Sequence, residues 1–315
     1  MSEAIRVEGL VKRYGSFTAL EGVSFGVEEG EIFGILGPNG AGKTTTLEII
    51  EGLQRPSEGR VTVLGNDVLK EAKKIKARIG VQLQSSAYFN YLSLLEILRL
   101  LGSFYPHSMQ PEELLEVVGL SDKGKNRVDQ LSIGQRQRFT VAASLVNDPE
   151  LVILDEPTTG LDPQARRNLW DLIREIHSRK VTVVLTSHYM EEAEALCQRL
   201  AIMDHGRIVA IDSPDRLIDR IETTYTVKLV TADPLTSDQQ HLLAKSATLQ
   251  KSEGGSDSAA DESGSYVLRL NKTPEALNAT IDRIVRSGIT LKHLEILPAT
   301  LEDVFLDLTG NELRD

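Results

Sequence analysis

The run GPNGAGKTT at positions 37–45 limits what this chain can fold into more than any other feature of its sequence. It lies between EIFGILG (31–37), an apolar stretch of strand character, and TTTLEIIEGL (44–53), whose apolar residues recur at helical spacing. Gly37, Gly40 and Gly42 let backbone N–H groups converge on an anion, and the following helix turns its positive end to the same point. Lys43 adds a point charge and Thr44 a hydroxyl of the kind that ligates Mg2+, while Pro38, Asn39, Ala41 and Thr45 complete the loop. A glycine-rich turn around a structural lysine would share this composition but not the strand before it and the helix after it. The expectation is a phosphate-binding turn at the end of a strand in an α/β fold.

Other strands carry polar ends of the same kind. RIGVQLQ (78–84), LVILDEP (151–157) and VTVVLTSH (181–188) are nearly unbroken in apolar residues, as suits a parallel sheet buried on both faces. Between the last two, Leu169, Leu172, Ile173 and Ile176 mark a helix. Residues 85–147 show no clear strand and read as a mainly helical insertion, and 200–212 reads as a hairpin turning at 204–206. Two acids after a strand are more often a solvated strand end, but behind a phosphate turn they acquire a chemistry. Asp155 is placed to hold Mg2+ through water, and Glu156 to orient and deprotonate an attacking water. His188, at the end of a third strand, falls within reach of a γ-phosphate.

Composition removes several classes. The 315 residues carry 35 Lys plus Arg against 46 Asp plus Glu, a formal charge of −11, which argues against nucleic acid as the main partner. Cys197 is the single cysteine, so an intrachain disulfide and a Cys-rich zinc site are excluded, and a reducing cytosol fits. MSEAIRVEGL lacks the basic and apolar regions of a secretory signal, and no run approaches the ~18 apolar residues of a membrane span.

After SPDRL (213–217) the pattern changes to alternating strands, TYTVKLV, SYVLRLN and TLKHLEIL, interleaved with the helical stretches SDQQHLLAKS and PEALNATIDRIV. This order predicts a large domain over 1–217 and a small α+β domain over 218–315, ferredoxin-like and closed by a helix at 301–310. The Gly-, Ser- and acid-rich segment 252–264 is expected to be a mobile loop.

Taken together, these motifs resemble the ATPase subunit of the ATP-binding-cassette (ABC) transporter superfamily, over about residues 3–217. The resemblance implies a P-loop NTPase cassette with a parallel-sheet core, an antiparallel β subdomain and the helical insertion at about 85–147. Tyr14 in VKRYGS is similar to the aromatic that stacks on adenine in that family, although by pattern a core aromatic fits as well. Gln84 looks like the glutamine that contacts Mg2+ and the lytic water. Gln82 lies on the same strand face, and the strand-end position favours Gln84. Asp162 in GLDP looks like the aspartate that crosses the dimer interface.

LSIGQ (131–135) resembles the family signature L-S-G-G-Q, which faces the ATP bound by the opposite subunit. Physically, Ser132 can cap the helix that QRQRFTVAASLV begins, and Gly134 allows close backbone approach. Free N–H groups and the positive helix end then point at a γ-phosphate. Two phosphate-binding turns in one chain make sense if each serves half of two shared sites in a two-fold dimer. Ile133 replaces the first glycine of the signature. If that position needs φ > 0 the signature is impaired; if not, Ile133 packs outward, which is the expectation because Ser132, Gly134 and Gln135 are kept.

The resemblance also implies the activity, a Mg-dependent ATPase driving export with ATP and Mg2+ as cofactors. Lys43 and the loop amides would bind phosphates, Thr44, Gln84 and Asp155 would manage Mg2+, Glu156 would be the general base and His188 would steady the γ-phosphate. The implied partners are separate transmembrane permease subunits, docking on the helical insertion, and a second identical chain, on the cytoplasmic face of the membrane. The C-terminal part resembles the extension of drug and polysaccharide exporters, whose chains end much as ATLEDVFLDLTG does here. A soluble ABC ATPase acting on a ribosome or DNA is the alternative, but those proteins typically carry two cassettes or a long coiled coil.

Overall fold

The computed structural model describes residues 2–82, 88–89, 91–221, 223–244, 248–251, 264–271 and 274–309. The chain divides into two compact units, Met1–Pro214 and Asp215–Asn311.

In the first unit, β1 (Glu3–Tyr14) and β2 (Phe17–Glu28) form a hairpin. The wholly buried β3 (Ile32–Leu36) then runs through the phosphate-type turn into α1 (Lys43–Ile50). β4 (Glu58–Val63) and β5 (Asn66–Asp67) complete an antiparallel sheet of order β2-β1-β4-β5. α2 (Ala72–Lys76) and β6 (Ile79–Gln82) precede a helical stretch, α3 (Leu94–Gly102), α4 (Pro111–Val117) and α5 (Ile133–Ser144). The chain returns to the sheet as β7 (Leu151–Leu154), α6 (Pro163–Ser178), β8 (Thr182–Ser187), α7 (Met190–Leu196), β9 (Arg199–Asp204) and β10 (Arg207–Asp212).

The second sheet has the order β10-β9-β3-β8-β7-β6, parallel except for the β9–β10 hairpin. Its central strands β3 and β7 carry no polar side chain and are wholly buried, as suits strands covered on both faces. Ile5, Val7 and Leu10 of β1, Leu47 and Ile50 of α1, and Phe33, Ile35, Ile153 and Val184 of the parallel strands share one core. In it Phe25 and Phe33 stack with ring centroids 5.5 Å apart. Parallel register aligns Leu36 with Ser187 and Leu154 with Leu185. Gly37 and His188 therefore leave the sheet level with each other, and Asp155 level with Thr186 two residues earlier, all at its carboxyl edge, where α/β folds place their ligands.

The second unit runs α8 (Pro214–Ile218), β11 (Thr223–Thr231), α9 (Ser237–Ala244), β12 (Thr248–Lys251), β13 (Gly264–Asn271), α10 (Pro274–Arg286), β14 (Leu291–Pro298) and α11 (Leu301–Thr309). Its antiparallel sheet has the order β12-β13-β11-β14, the β-α-β-β-α-β arrangement of a ferredoxin-like domain. Val227, Leu229, Tyr266, Leu268 and Leu270 face Leu243 of α9 and Ile284 of α10 in a core of its own. Two details differ from the sequence reading. The division falls three residues before 217, because Pro214 opens a helix whose Leu217 is fully buried. Gly264 belongs to β13 rather than to a loop, and 252–263 lie outside the described residues.

Candidate functional site

The turn between β3 and α1 can be built only from glycine at two places. Gly42, the N-cap of α1, has φ 103 and ψ 6, and a Cβ there would fall 2.6 Å from Leu20 Cδ2. At Gly37 a Cβ would fall 2.2 Å from the Met203 carbonyl oxygen. A glycine cap offers no side chain to the helix, so the first-turn N–H groups are left for whatever occupies the turn. The first backbone bond back into the helix is Thr46 N–H to Gly42 O, at 2.9 Å. The buried Lys43 folds over the turn, its Nζ donating to Gly37 O at 2.8 Å and Pro38 O at 3.2 Å. A cavity of about 260 Å³ opens here, bounded by Asn39, Gly40, Gly42, Lys43, Thr44 and Thr45, by Glu156, and by Tyr14, Phe17 and Ala19 of the first hairpin.

The acids lie at its foot. Asp155 Oδ2 accepts from Thr44 Oγ1 at 3.2 Å, and Oδ1 accepts from Thr186 Oγ1 at 2.5 Å. The same Thr186 hydroxyl accepts the Glu156 N–H at 2.9 Å, so one side chain fixes both acids. Glu156 has φ 46, a left-handed conformation uncommon outside glycine, which turns its carboxyl back over the loop. Its Oε1 lies 3.4 Å from Lys43 Nζ; its Oε2 lies 3.4 Å from His188 Nδ1 and accepts from Thr159 Oγ1 at 3.2 Å. Burial works to raise the Glu156 pKa, but the charges of Lys43 and His188 and the hydrogen bonds from Lys43 and Thr159 hold it below the ordinary glutamate value. The carboxyl is thus ionised at neutral pH and faces the cavity.

A nucleoside triphosphate matches this donor set: backbone N–H groups and an ammonium for phosphates, and exposed aromatic surface for a base. Thr44 and Asp155 meet as a hydroxyl and a carboxylate at the cradle's foot. Mg2+ characteristically takes that few protein oxygens and completes its shell from phosphates and water. Those two residues could hold it.

The second turn is separate. Ser132 caps α5 in a reciprocal box, its Oγ accepting the Gln135 N–H at 3.2 Å while Gln135 Oε1 accepts the Ser132 N–H at 3.0 Å. Ile133 is the first helical residue, without positive φ and 68% exposed, so the position does not require glycine. Gly134 instead permits contact: a Cβ there would lie 3.1 Å from Ala165 Cβ of α6. Asp162 caps α6, accepting the Ala165 N–H at 2.8 Å. Ser132, Gly134, Gln135 and Asp162 are not among the residues lining the Lys43 cavity.

Gln84 lies outside the described residues. Gln82 is buried with its Nε2 3.5 Å from Asp155 O, and its own carbonyl accepts the Asp155 N–H at 3.0 Å. Tyr14 is 45% exposed, which removes the core-aromatic reading, and its hydroxyl donates to Gln54 Oε1. The sequence reading missed Phe17, Thr186 and Thr159. Phe17 pairs with Tyr14 across the hairpin, a signal present in YGSF as two aromatics flanking a two-residue turn. Nothing in VTVVLTSH distinguishes Thr186 from any other strand threonine.

The family model for the ABC transporter matches residues 20–159. The Nod factor export ATP-binding protein I of Burkholderia lata is 38% identical over 310 residues, covering 96% of each chain. The protein of that name from Ralstonia nicotianae is 39% identical over 320 residues, covering 99% of this chain and 95% of its own. Among solved structures, the dimeric post-hydrolysis state of the ATP-binding cassette MJ0796 with ADP and Pi has 28% identity and a TM-score of 0.60. The match covers 66% of this chain and 98% of that one.

Proposed function

This chain belongs to the ABC transporter family of ATP-binding subunits, and on that premise we propose that it hydrolyses Mg·ATP at the Lys43–Glu156 cavity to drive export through separate membrane subunits. The observation that carries the reading is the Glu156 carboxylate, 3.4 Å from both Lys43 and His188 and lining the cavity of a glycine-built phosphate cradle. The loop amides and Lys43 bind the β- and γ-phosphates, and Tyr14 with Phe17 receives the adenine. Phosphate charge competes with Glu156 for the Lys43 ammonium. Glu156 takes a proton from water as its oxygen bonds to the γ-phosphorus, the bond to the bridging oxygen breaks, and ADP leaves. His188 holds the carboxyl in line and steadies the γ-phosphate. Thr44 and Asp155, whose side chains meet at 3.2 Å, would hold Mg2+, with Gln84 the further residue that the family resemblance implies, and the ion would supply neutralisation of phosphate charge.

A second copy of the chain brings its Ser132 turn to each bound ATP, in keeping with two separate phosphate-type turns and with the dimeric cassette the chain resembles. Export is the direction named in both curated relatives. We place the chain peripherally on the cytoplasmic face; among the described residues no helix is long and apolar enough to cross a membrane. The test is Glu156→Gln, which keeps shape but cannot take a proton. Phosphate release should fall about 100-fold or more with ATP still bound at near wild-type affinity. Near-normal turnover would remove Glu156 from the role of base.

A further inference from the structure

The most deeply buried carboxylate among the described residues is that of Glu192 in α7, at 0% exposure, and no step of the proposed mechanism uses it. Its Oε1 accepts the indole N–H of Trp170, from α6, at 3.2 Å, and its Oε2 is buried without a hydrogen-bond partner. Burial pushes its pKa up, and the Ser187 and Thr158 hydroxyls, the Trp170 indole and the Arg166 charge oppose that only in part. A glutamine would fill this space without the desolvation cost that falls on a carboxylate. An acid kept at such a cost points to a role other than stability.

Its neighbours indicate which role. Ser187 is the last residue of β8, directly before His188, and its hydroxyl accepts the Tyr189 N–H at 2.9 Å, closing a turn with His188 at its centre. Tyr189 is held in turn: the Arg166 guanidinium lies 4.1 Å from its ring centroid, and the His188 ring packs on it with centroids 4.0 Å apart. The other facing hydroxyl, buried Thr158, belongs to the loop that leaves Glu156. Glu192 thus faces both segments whose side chains meet in the 3.4 Å contact between His188 Nδ1 and Glu156 Oε2. A carboxylate accepts at both oxygens, so it can take the Trp170 N–H on one and a hydroxyl from either segment on the other.

We propose that Glu192 is a positioning residue that sets the contact between His188 and the general base Glu156. The proposal rests on the reading above that Glu156 and His188 act in ATP hydrolysis. Glu192 does not line the Lys43 cavity, so it acts on turnover through His188 and leaves ATP affinity to the cradle. Its replacement by glutamine keeps the shape and, through the amide oxygen, the Trp170 hydrogen bond. The amide NH2 then stands where Oε2 stood, and it cannot accept from Ser187 or Thr158.

The test measures kcat, KM for ATP and melting temperature in the full chain. Glu192→Gln should lower kcat about tenfold or more, leave KM and ATP affinity within about twofold of wild type, and melt no lower than wild type. Thr158→Val, which removes one facing hydroxyl at constant volume, should lower kcat several-fold with the same unchanged affinity, and it serves as the second measurement if Glu192→Gln binds no ATP. Wild-type kcat in the variants that bind ATP would overturn the proposal. A double-mutant cycle then identifies the route: in a His188→Ala chain no contact remains to be set, so adding Glu192→Gln should change the residual turnover by less than about twofold. A further tenfold loss in that background would show that Glu192 acts elsewhere and would overturn the proposal too. Glu156→Gln separates the two readings. If it is inactive while Glu192→Gln turns over normally, only the positioning role is lost; if Glu156→Gln itself turns over normally, the hydrolysis reading fails and takes the positioning role with it.

Discussion

Glu51 and Glu156 are both buried glutamates, and their surroundings drive them in opposite directions. Glu156 faces Lys43 and His188 and is held low; Glu51 is pushed up to about 7 by its burial first and then by the charges of Asp155 and Glu48. For Glu51 the folded chain binds its proton more tightly than the unfolded chain does. Stability from that proton is therefore full below the ordinary glutamate value of 4.5 and is lost as pH rises toward 7. At about 1.4 kcal/mol per pKa unit, ionised Glu51 costs the isolated chain on the order of 2 to 3 kcal/mol at pH 8. Glu51→Gln should accordingly melt several degrees above wild type at pH 8, with the gap closing by pH 5. A difference that did not change with pH would contradict the burial described for this carboxyl. Neither environment is visible in EIIEGL or LDEP, because each is made by residues far apart in the chain. Motif spacing and strand-end position marked Lys43, Thr44, Asp155 and Glu156, whereas Thr186 emerges only when β7 and β8 lie in register.

At the scale of elements, continuous apolar strands and the glycine turn were legible because burial on both faces and close backbone approach leave few residue choices. The start of α5 was read two residues late: Ile133 looked like a substituted loop glycine, yet at the first helical position its negative φ is ordinary. β12 was not read at all. It is a four-residue strand at the sheet edge, too short for alternation to show. The Ser132–Gln135 box allows its two roles to be separated. Ser132→Ala should lower thermal stability by about 1 kcal/mol through the lost cap. If the hydroxyl also faces the partner's γ-phosphate, steady-state ATP turnover should fall roughly tenfold, far more than a cap accounts for. Turnover at the wild-type level would leave Ser132 a helix cap.

For the whole molecule, the two units each close a core of their own, and the change from unbroken apolar strands to alternating ones after SPDRL (213–217) made that change of architecture legible. In the proposed mechanism a single chain does not hold the finished catalytic centre, because the Ser132 turn it requires does not line the Lys43 cavity. Completion by a second chain is the central claim, and subunit mixing tests it most directly. Lys43→Ala and Ser132→Arg chains should each be inactive. Mixed in equal amounts under subunit exchange, half the dimers are hybrids and half of the hybrid sites are whole, so roughly a quarter of wild-type turnover should return if sites act independently. A chain carrying both substitutions covers the case of coupled sites, because it should inhibit wild-type chains in proportion to its share of the mixture. Absence of rescue together with absence of inhibition would mean that each chain completes its own site, contradicting the shared-site dimer.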